Sequence, residues 1–143
     1  MDRKGIKRDR VTLGALIAFR RANNRMLKRE MKAIKEKKLT SSQFAVLEIL
    51  YYKGDLRIAD IIEGVLSSSG NMTVVVKNLK RDGYITQIPD ERDKRASLIS
   101  LTEKGVNLIE EVLPSHFKNI EDGFNDLTRD EKKTLITLLN KIR

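Results

Sequence analysis

Residues 90–105 read DERDKRASLISLTEKG, and the first six could do chemistry. Arg92, Lys94 and Arg95 are interleaved with Asp90, Glu91 and Asp93. Cations at a loop tip bind phosphate oxygens, and an acid beside them holds an arginine in a set pose. Asp90 or Asp93 could play that part. A second set lies upstream in LSSSGNMTVVVKNLKRDGYI, residues 66–85. Wound as a helix, it puts Met72, Val75, Val76 and Leu79 on one face and Gly70, Asn71, Thr73, Val74, Lys77, Lys80 and Arg81 opposite. Asn71 and Thr73 are of a type that reaches base edges, and Gly70 lets the backbone approach phosphate. The ordinary alternative is an amphipathic helix with a solvated face and a surface hairpin with a charged turn.

Those side chains need elements to hold them. Ser68 can cap the helix of the second set, and Gly83 stops it. Residues 84–88 and 97–101 are short β-prone runs flanking the charged loop of residues 89–96, although Leu98, Ile99 and Leu101 spoil strict alternation. Upstream, TSSQ from Thr40 fits a capping box, opening a short helix through Phe44, Val46, Leu47, Ile49 and Leu50 that ends near Gly54. A third short helix over residues 58–65 turns Ile58, Ile61, Ile62 and Val65 inward. Two short helices, the second basic outward, then a hairpin: this is a helix-turn-helix with its wing. The wing tip would enter a minor groove or lie on phosphate while the helix reads the adjacent major groove.

The ends of the chain are longer helices. Residues 10 to about 37 repeat Leu13, Leu16, Ile17, Leu27, Met31 and Ile34 at helical spacing, interrupted by Arg20, Asn23 and Asn24. After Thr102, a stripe of Val106, Ile109, Val112, Leu113, His116, Ile120 and Phe124 follows, which Pro114 should bend or restart. TRDE from Thr128 is another capping box, with Leu135, Leu138, Leu139 and Ile142 inward. The end helices either pack on each other or bury a partner surface. The expected fold is mainly α with a small β-hairpin wing, a winged helix-turn-helix flanked by N- and C-terminal dimerisation helices. The expected division is residues 1–38 as basic arm and dimerisation helix, 39–101 as DNA-binding lobe and 102–143 as C-terminal dimerisation helices, in a single domain.

Charge points the same way. The 143 residues carry a net +9, and residues 1–38 alone hold 14 Lys/Arg against 4 Asp/Glu. A polyanion partner is implied, nucleic acid and anionic lipid both fitting. No apolar run is long enough to span a bilayer, and MDRKGIKRDR has no apolar stretch behind it, so neither a membrane protein nor a secretory signal is expected. Zero cysteines exclude disulfides and thiolate sites, and the expected compartment is the cytoplasm. One histidine, no cysteine and no phosphate-binding glycine loop argue against catalysis, and no cofactor is expected. His116 sits on an apolar stripe and reads as a core or interface residue.

The stretches SSSGNMTVVVKNLKRDGYI, residues 67–85, and DERDKRASLISLTEKG resemble the winged-helix regulators of the MarR family. The second fits that family's wing signature, D-x-R-D-x-R followed by L-T-x-x-G. The resemblance implies a homodimeric regulator, usually a repressor, binding double-stranded DNA at a pseudo-palindrome. It maps Arg92 and Arg95 to the wing arginines, with Asp93 the partner of Arg95 and Lys94 between them. It maps Ser68, Gly70, Asn71, Thr73 and Lys77 to the DNA-facing side of the recognition helix, with Val74 standing where many relatives are polar or basic. It also implies a small-molecule effector. Without cysteine a thiol switch is ruled out, and with one histidine a tight zinc site is not expected, which leaves a small organic ligand or none. Such a ligand would sit between the lobe and the dimer helices, with Phe19, Arg20, Asn23 and Tyr51 as candidates; alternatively these are exposed positions or dimer hydrogen bonds. A reading of a different class is a winged-helix interaction module docking an acidic protein or RNA through the basic N-terminal helix.

Overall fold

The computed structural model describes residues 7–65 and 69–143. Along the chain run α1 (Arg10–Glu36), α2 (Ser41–Lys53), α3 (Ile58–Val65), α4 (Ser69–Arg81), β1 (Ile85–Pro89), β2 (Ser97–Leu101), α5 (Glu103–Gly123) and α6 (Arg129–Leu139). The expected winged helix with flanking helices is what the chain forms. Local chemistry sets most of the boundaries. Thr40 and Thr128 each cap through reciprocal bonds with the residue three on, Gln43 and Glu131. Thr102 caps α5 by accepting from the Gly105 N–H at 3.1 Å.

The core lies where α2, α4 and α5 meet the hairpin. Val46, Leu47, Ile61, Met72, Leu79 and Ile109 are fully buried, with Phe44, Leu50, Ile85 and Ile99 packed among them. The apolar stripe of α4 (Met72, Val75, Val76 and Leu79) is buried as its spacing requires. Truncating a fully buried member such as Leu79 to Ala should destabilise the chain by about 2–5 kcal/mol. β1 and β2 pair antiparallel, Ile85 opposite Leu101 and Ile88 opposite Leu98. The irregular alternation of β2 resolves here: Ile99 turns into the core while Leu98 stays half-exposed beside its partner Ile88. Leu56, from the α2–α3 loop, adds a short third rung by exchanging backbone bonds with Ile99 at 3.1 and 2.7 Å.

α1 and α5 run antiparallel. The α1 end reaches the middle of α5, with Lys37 Nζ 2.9 Å from Glu111 Oε2. Met26 lies against Gly123 so closely that a Cβ there would come within 2.7 Å of the methionine methyl.

Several inward assignments are corrected. Ile58, the first residue of the two-turn α3, is 39% exposed. In α6 and after it, Leu138, Leu139 and Ile142 are exposed, with Ile136 beside them, as are Leu13, Leu16, Ile17 and Leu27 of the α1 stripe. Among the described residues, none covers them. α5 also runs through Pro114 without restarting. Pro114 and Glu110, whose carbonyl loses its helical donor, are both exposed, so water can satisfy it. Buried Val112, Leu113 and His116 hold the helix on either side.

Candidate nucleic-acid interface

α4 ends in a Schellman turn. Gly83, at φ +81°, donates to the Lys80 carbonyl at 3.1 Å, and Tyr84 donates to the Leu79 carbonyl at 3.0 Å. The next helix locks onto this turn. Thr102 donates its hydroxyl to the Gly83 carbonyl at 2.6 Å, and a Cβ on Gly105 would come within 2.1 Å of the Tyr84 carbonyl. The L-T-x-x-G stretch is thus a clamp: threonine caps α5 and grips the end of α4, and only glycine fits three residues on. Lys104 adds a 2.7 Å bond to the Asp82 carbonyl and lies over the Tyr84 ring.

At 100° per residue, the middle of the α4 face opposite the core is taken by Gly70, Val74, Lys77 and Arg81, flanked by Asn71 and Thr73. Asn71, Thr73, Val74 and Lys77 are exposed, Val74 by 54%. Ser68 lies outside the described residues, and its expected capping role with it. Lys80 leaves the outer face sideways, donating to Gln87 of β1 at 3.1 Å, while Gln87 donates to Ser97 of β2. Helix and wing are thereby held in fixed relation.

The charged tip is two turns in tandem. Asp93 N–H donates to the Asp90 carbonyl at 3.2 Å, and Ala96 N–H to the Asp93 carbonyl at 2.9 Å. Within each turn the aspartate side chain accepts the backbone N–H two residues on: Asp90 from Arg92 at 3.0 Å, Asp93 from Arg95 at 3.1 Å. These are Asx-turns, and they explain why an aspartate recurs at a three-residue spacing, each turn carrying an arginine two residues on. Arg92, Lys94 and Arg95 remain exposed, the Arg95 side chain by 93% with its Nε 3.4 Å from Asp93 Oδ1. The expected Asp93–Arg95 pair is therefore formed, as a loose solvent-facing contact that orients the guanidinium.

Asp90 has a different partner. It is buried, and its Oδ2 accepts from Arg57 Nη2 at 2.7 Å and Nε at 3.1 Å. The Arg57 guanidinium, with the Arg92 N–H, holds the Asp90 carboxyl below the usual carboxylate range. Arg57 follows Leu56, so one dipeptide joins the α2–α3 loop to the wing base by a backbone rung and an ion pair. Sequence reasoning missed Arg57: a single arginine in a loop carries no signal until its partner, 33 residues on, is known.

The residues proposed for a ligand are partly brought together. Phe19, Arg20 and Asn23 are exposed on the projecting half of α1. Tyr51, in the last turn of α2, donates its hydroxyl to Glu110 of α5 at 3.0 Å, which raises its pKa. The hollow of about 720 Å³ at the wing base is lined instead by Asp55, Arg57, Asp60, Ile88, Asp90 and Arg92, among others.

A recognition helix clamped to an arginine-tipped wing is also what comparison with known proteins returns. Residues 39–97 match the family model described as MarR family. The HTH-type transcriptional regulator YkoM of Bacillus subtilis is 35% identical over 86% of this chain and 80% of its own length. The chain belongs to the MarR family. The HTH-type transcriptional regulator MhqR of the same organism is 30% identical, over 87% of this chain and 83% of MhqR. Among solved structures, BpsR of Bordetella bronchiseptica superposes with a TM-score of 0.76 at 28% identity, covering 92% of this chain and 98% of that one. That structure concerns regulation of BpsR's DNA binding by 6-hydroxynicotinic acid. MarR-family proteins are non-catalytic DNA-binding regulators, and this chain is a DNA-binding regulator of that type rather than an enzyme. No helix among the described residues is long and apolar enough to cross a membrane.

Proposed function

We propose that this MarR-family chain is a cytoplasmic repressor that binds a pseudo-palindromic operator as a homodimer and is released by a small organic ligand. The observation that carries the reading is the pair of tandem Asx-turns, which display Arg92, Lys94 and Arg95 beside the exposed face of α4. Preset cations lose less conformational freedom on contact with phosphate than a loose tip would. Residues 39–101 read DNA: Asn71, Thr73 and Val74 face bases, Lys77 and the wing cations face phosphates, Gly70 lets the helix backbone approach phosphate, and Ser68 belongs to the same DNA-facing set. Residues 1–38 and 102–143 pair the two copies, supported by the exposed apolar residues of α1 and α6. Half-site centres would then lie about one helical turn, ~10 base pairs, apart.

For the ligand, the precedent of BpsR supports an aromatic acid with hydroxyl substitution. Phe19, Arg20, Asn23 and Tyr51 supply a ring, a cation and two hydrogen-bonding groups, which suits such a molecule once a second copy closes the crevice. To release DNA it must favour the unbound spacing of the two lobes, since equal affinity for both forms shifts nothing. The test is fluorescence anisotropy on DNA flanking the coding gene, titrated with salicylate and hydroxynicotinate, then peroxide and micromolar zinc. Release by the aromatic acids and by neither of the others is expected; release by peroxide or zinc alone would overturn it.

A further inference from the structure

The excess positive charge of this protein does not lie on the lobe that reads DNA. Residues 39–101 hold 8 Lys/Arg against 8 Asp/Glu, whereas residues 1–38 hold 14 against 4. Within α1 that charge is ordered. Arg21, Arg25, Lys28, Lys32 and Lys35 follow one another at alternating steps of four and three, so they form a single stripe along the helix. It spans about 21 Å, with a cation roughly every 5 Å. All five side chains are exposed, and among the described residues none is seen paired with a carboxylate. Glu30 turns toward the α5 side, and Glu36 flanks only the last turn.

Its position separates it from the operator face. The wing and the clamp attach at the N-terminal end of α5, through Thr102. The stripe starts, at Arg21 and Arg25, beyond Met26 and Arg29, which lie against Gly123 at the other end of that 21-residue helix. It runs back toward the Lys37–Glu111 contact at the middle of α5, so its first cations stand about 30 Å and its last about 15 Å from Thr102 along α5. Ile17, four residues before Arg21, continues the line of the stripe, whereas the exposed apolar residues Leu13, Leu16 and Leu27 lie roughly a quarter to a third of a turn around α1. A partner seated on them leaves the cations open.

We propose that this stripe binds the phosphate backbone of a second duplex, so that a dimer engaged on one DNA segment can hold another. Two features favour phosphodiester over other polyanions. A regular row of cations matches a regularly charged linear polymer, one phosphate per 3.4 Å of each strand. A helix held on anionic lipid needs an apolar face to bury, and in this helix that face goes to the partner copy. The inference takes the chain to be a DNA-binding regulator, and the test keeps the two ideas apart.

Three full-length proteins are compared: the parent, a stripe variant (Arg25→Gln, Lys28→Gln, Lys32→Gln) and a wing variant (Arg92→Ala, Arg95→Ala). Each is titrated with operator and with random duplex over 50–200 mM salt. Each is also tested for retaining labelled random duplex on immobilised operator. The stripe variant should keep operator affinity, lose the second duplex, and flatten the salt slope for random duplex by roughly 2 to 3, at ~0.9 per phosphate. The wing variant should bind operator more weakly, with a salt slope flatter by about 2, and keep stripe-dependent binding of random duplex. A parent without operator preference would sink the regulator reading while leaving the stripe result intact. A stripe variant that holds the second duplex like the parent overturns the inference. So does a parent that holds none but binds phosphatidylserine vesicles or polyglutamate through the same three residues.

Discussion

The lobe of α2–α4 with its wing and the two end helices are built on opposite terms. In the lobe nearly every inward residue finds its cover within the chain: Leu47, Ile61, Met72 and Leu79 are fully buried, and the wing is fixed by the Leu56 rung, Asp90–Arg57 and the Thr102 clamp. The end helices leave Leu13, Leu16, Ile17, Ile136, Leu138 and Leu139 in solvent. That much apolar surface on two separate helices marks an interface awaiting a partner. A DNA reader whose lobe is complete and whose ends are not can move its two lobes relative to each other without unfolding either.

The sharpest break of this contrast is to charge the end helices. Leu16→Asp combined with Leu139→Asp should give a monomer by light scattering at micromolar concentration. Operator affinity should fall by about 10²–10⁴, the avidity of two linked half-sites. The far-UV circular dichroism of the lobe should barely change. A dimer with parental affinity would mean that the exposed apolar residues serve something else.

Smaller is the loss from the wing. Arg95→Ala should weaken binding to every sequence alike and reduce the salt slope by about 1. Removing Arg95 leaves the Asx-turn of Asp93 in place only if the backbone bond, rather than the ion pair, holds it. An unchanged salt slope would show that the tip does not touch phosphate.

That distinction was only half legible in the sequence. The alternation of acids and bases announced a preset tip, and Asp93 does meet Arg95. The backbone role of both aspartates was not foreseen, because a carboxylate's choice between a guanidinium and an amide two residues on depends on the turn it helps to form. Local signals fared well elsewhere: both capping boxes and the glycine stop after α4 set the boundaries expected of them. Contacts distant in sequence did not, as Arg57 and Leu56 show. The end helices illustrate a third limit. Their spacing says which face is apolar, and nothing in one chain's sequence says whether its own residues or a second copy will cover it.

Next in size is the anchor at the wing base. Asp90→Asn keeps an oxygen for the Arg92 N–H but loses the charge that holds Arg57; Asp90→Ala loses both. Operator affinity should fall in that order, each by less than for charging the dimer helices, and hydrogen exchange at the Arg92 and Asp93 amides should quicken in Asp90→Ala. The pH dependence follows from the lowered pKa of Asp90. A carboxyl held below its unfolded value stabilises the fold fully above the ordinary carboxylate range, and that contribution is lost as pH falls through the depressed value. The Arg57 Nε–H resonance should therefore hold its position down to mildly acidic pH and shift only below the usual aspartate range. A midpoint at or above that range would mean that the ion pair does not form.

The smallest effect expected is at Val74, and it bears on what the lobe reads. Val74 stands near the middle of the outer face of α4, 54% exposed, where a polar side chain would cost nothing in an unbound protein. An apolar side chain pressed into a major groove recognises the thymine methyl, the one apolar group on a base edge there. Val74→Ala removes two methyl groups from that contact, at about 0.8 kcal/mol for each carbon buried, so discrimination at one base pair should fall by roughly fifteen-fold or less. The salt slope should stay parental, since no charge changes. Asn71→Ala should also leave the slope intact, but should relax preference at an adjacent position. Competition between operators differing by thymine-to-uracil replacement isolates the methyl: the parent should prefer thymine at one position per half-site, and Val74→Ala should not. Equal loss of affinity for all operators, thymine or uracil, would make Val74 a packing residue and move the base reading to its polar neighbours.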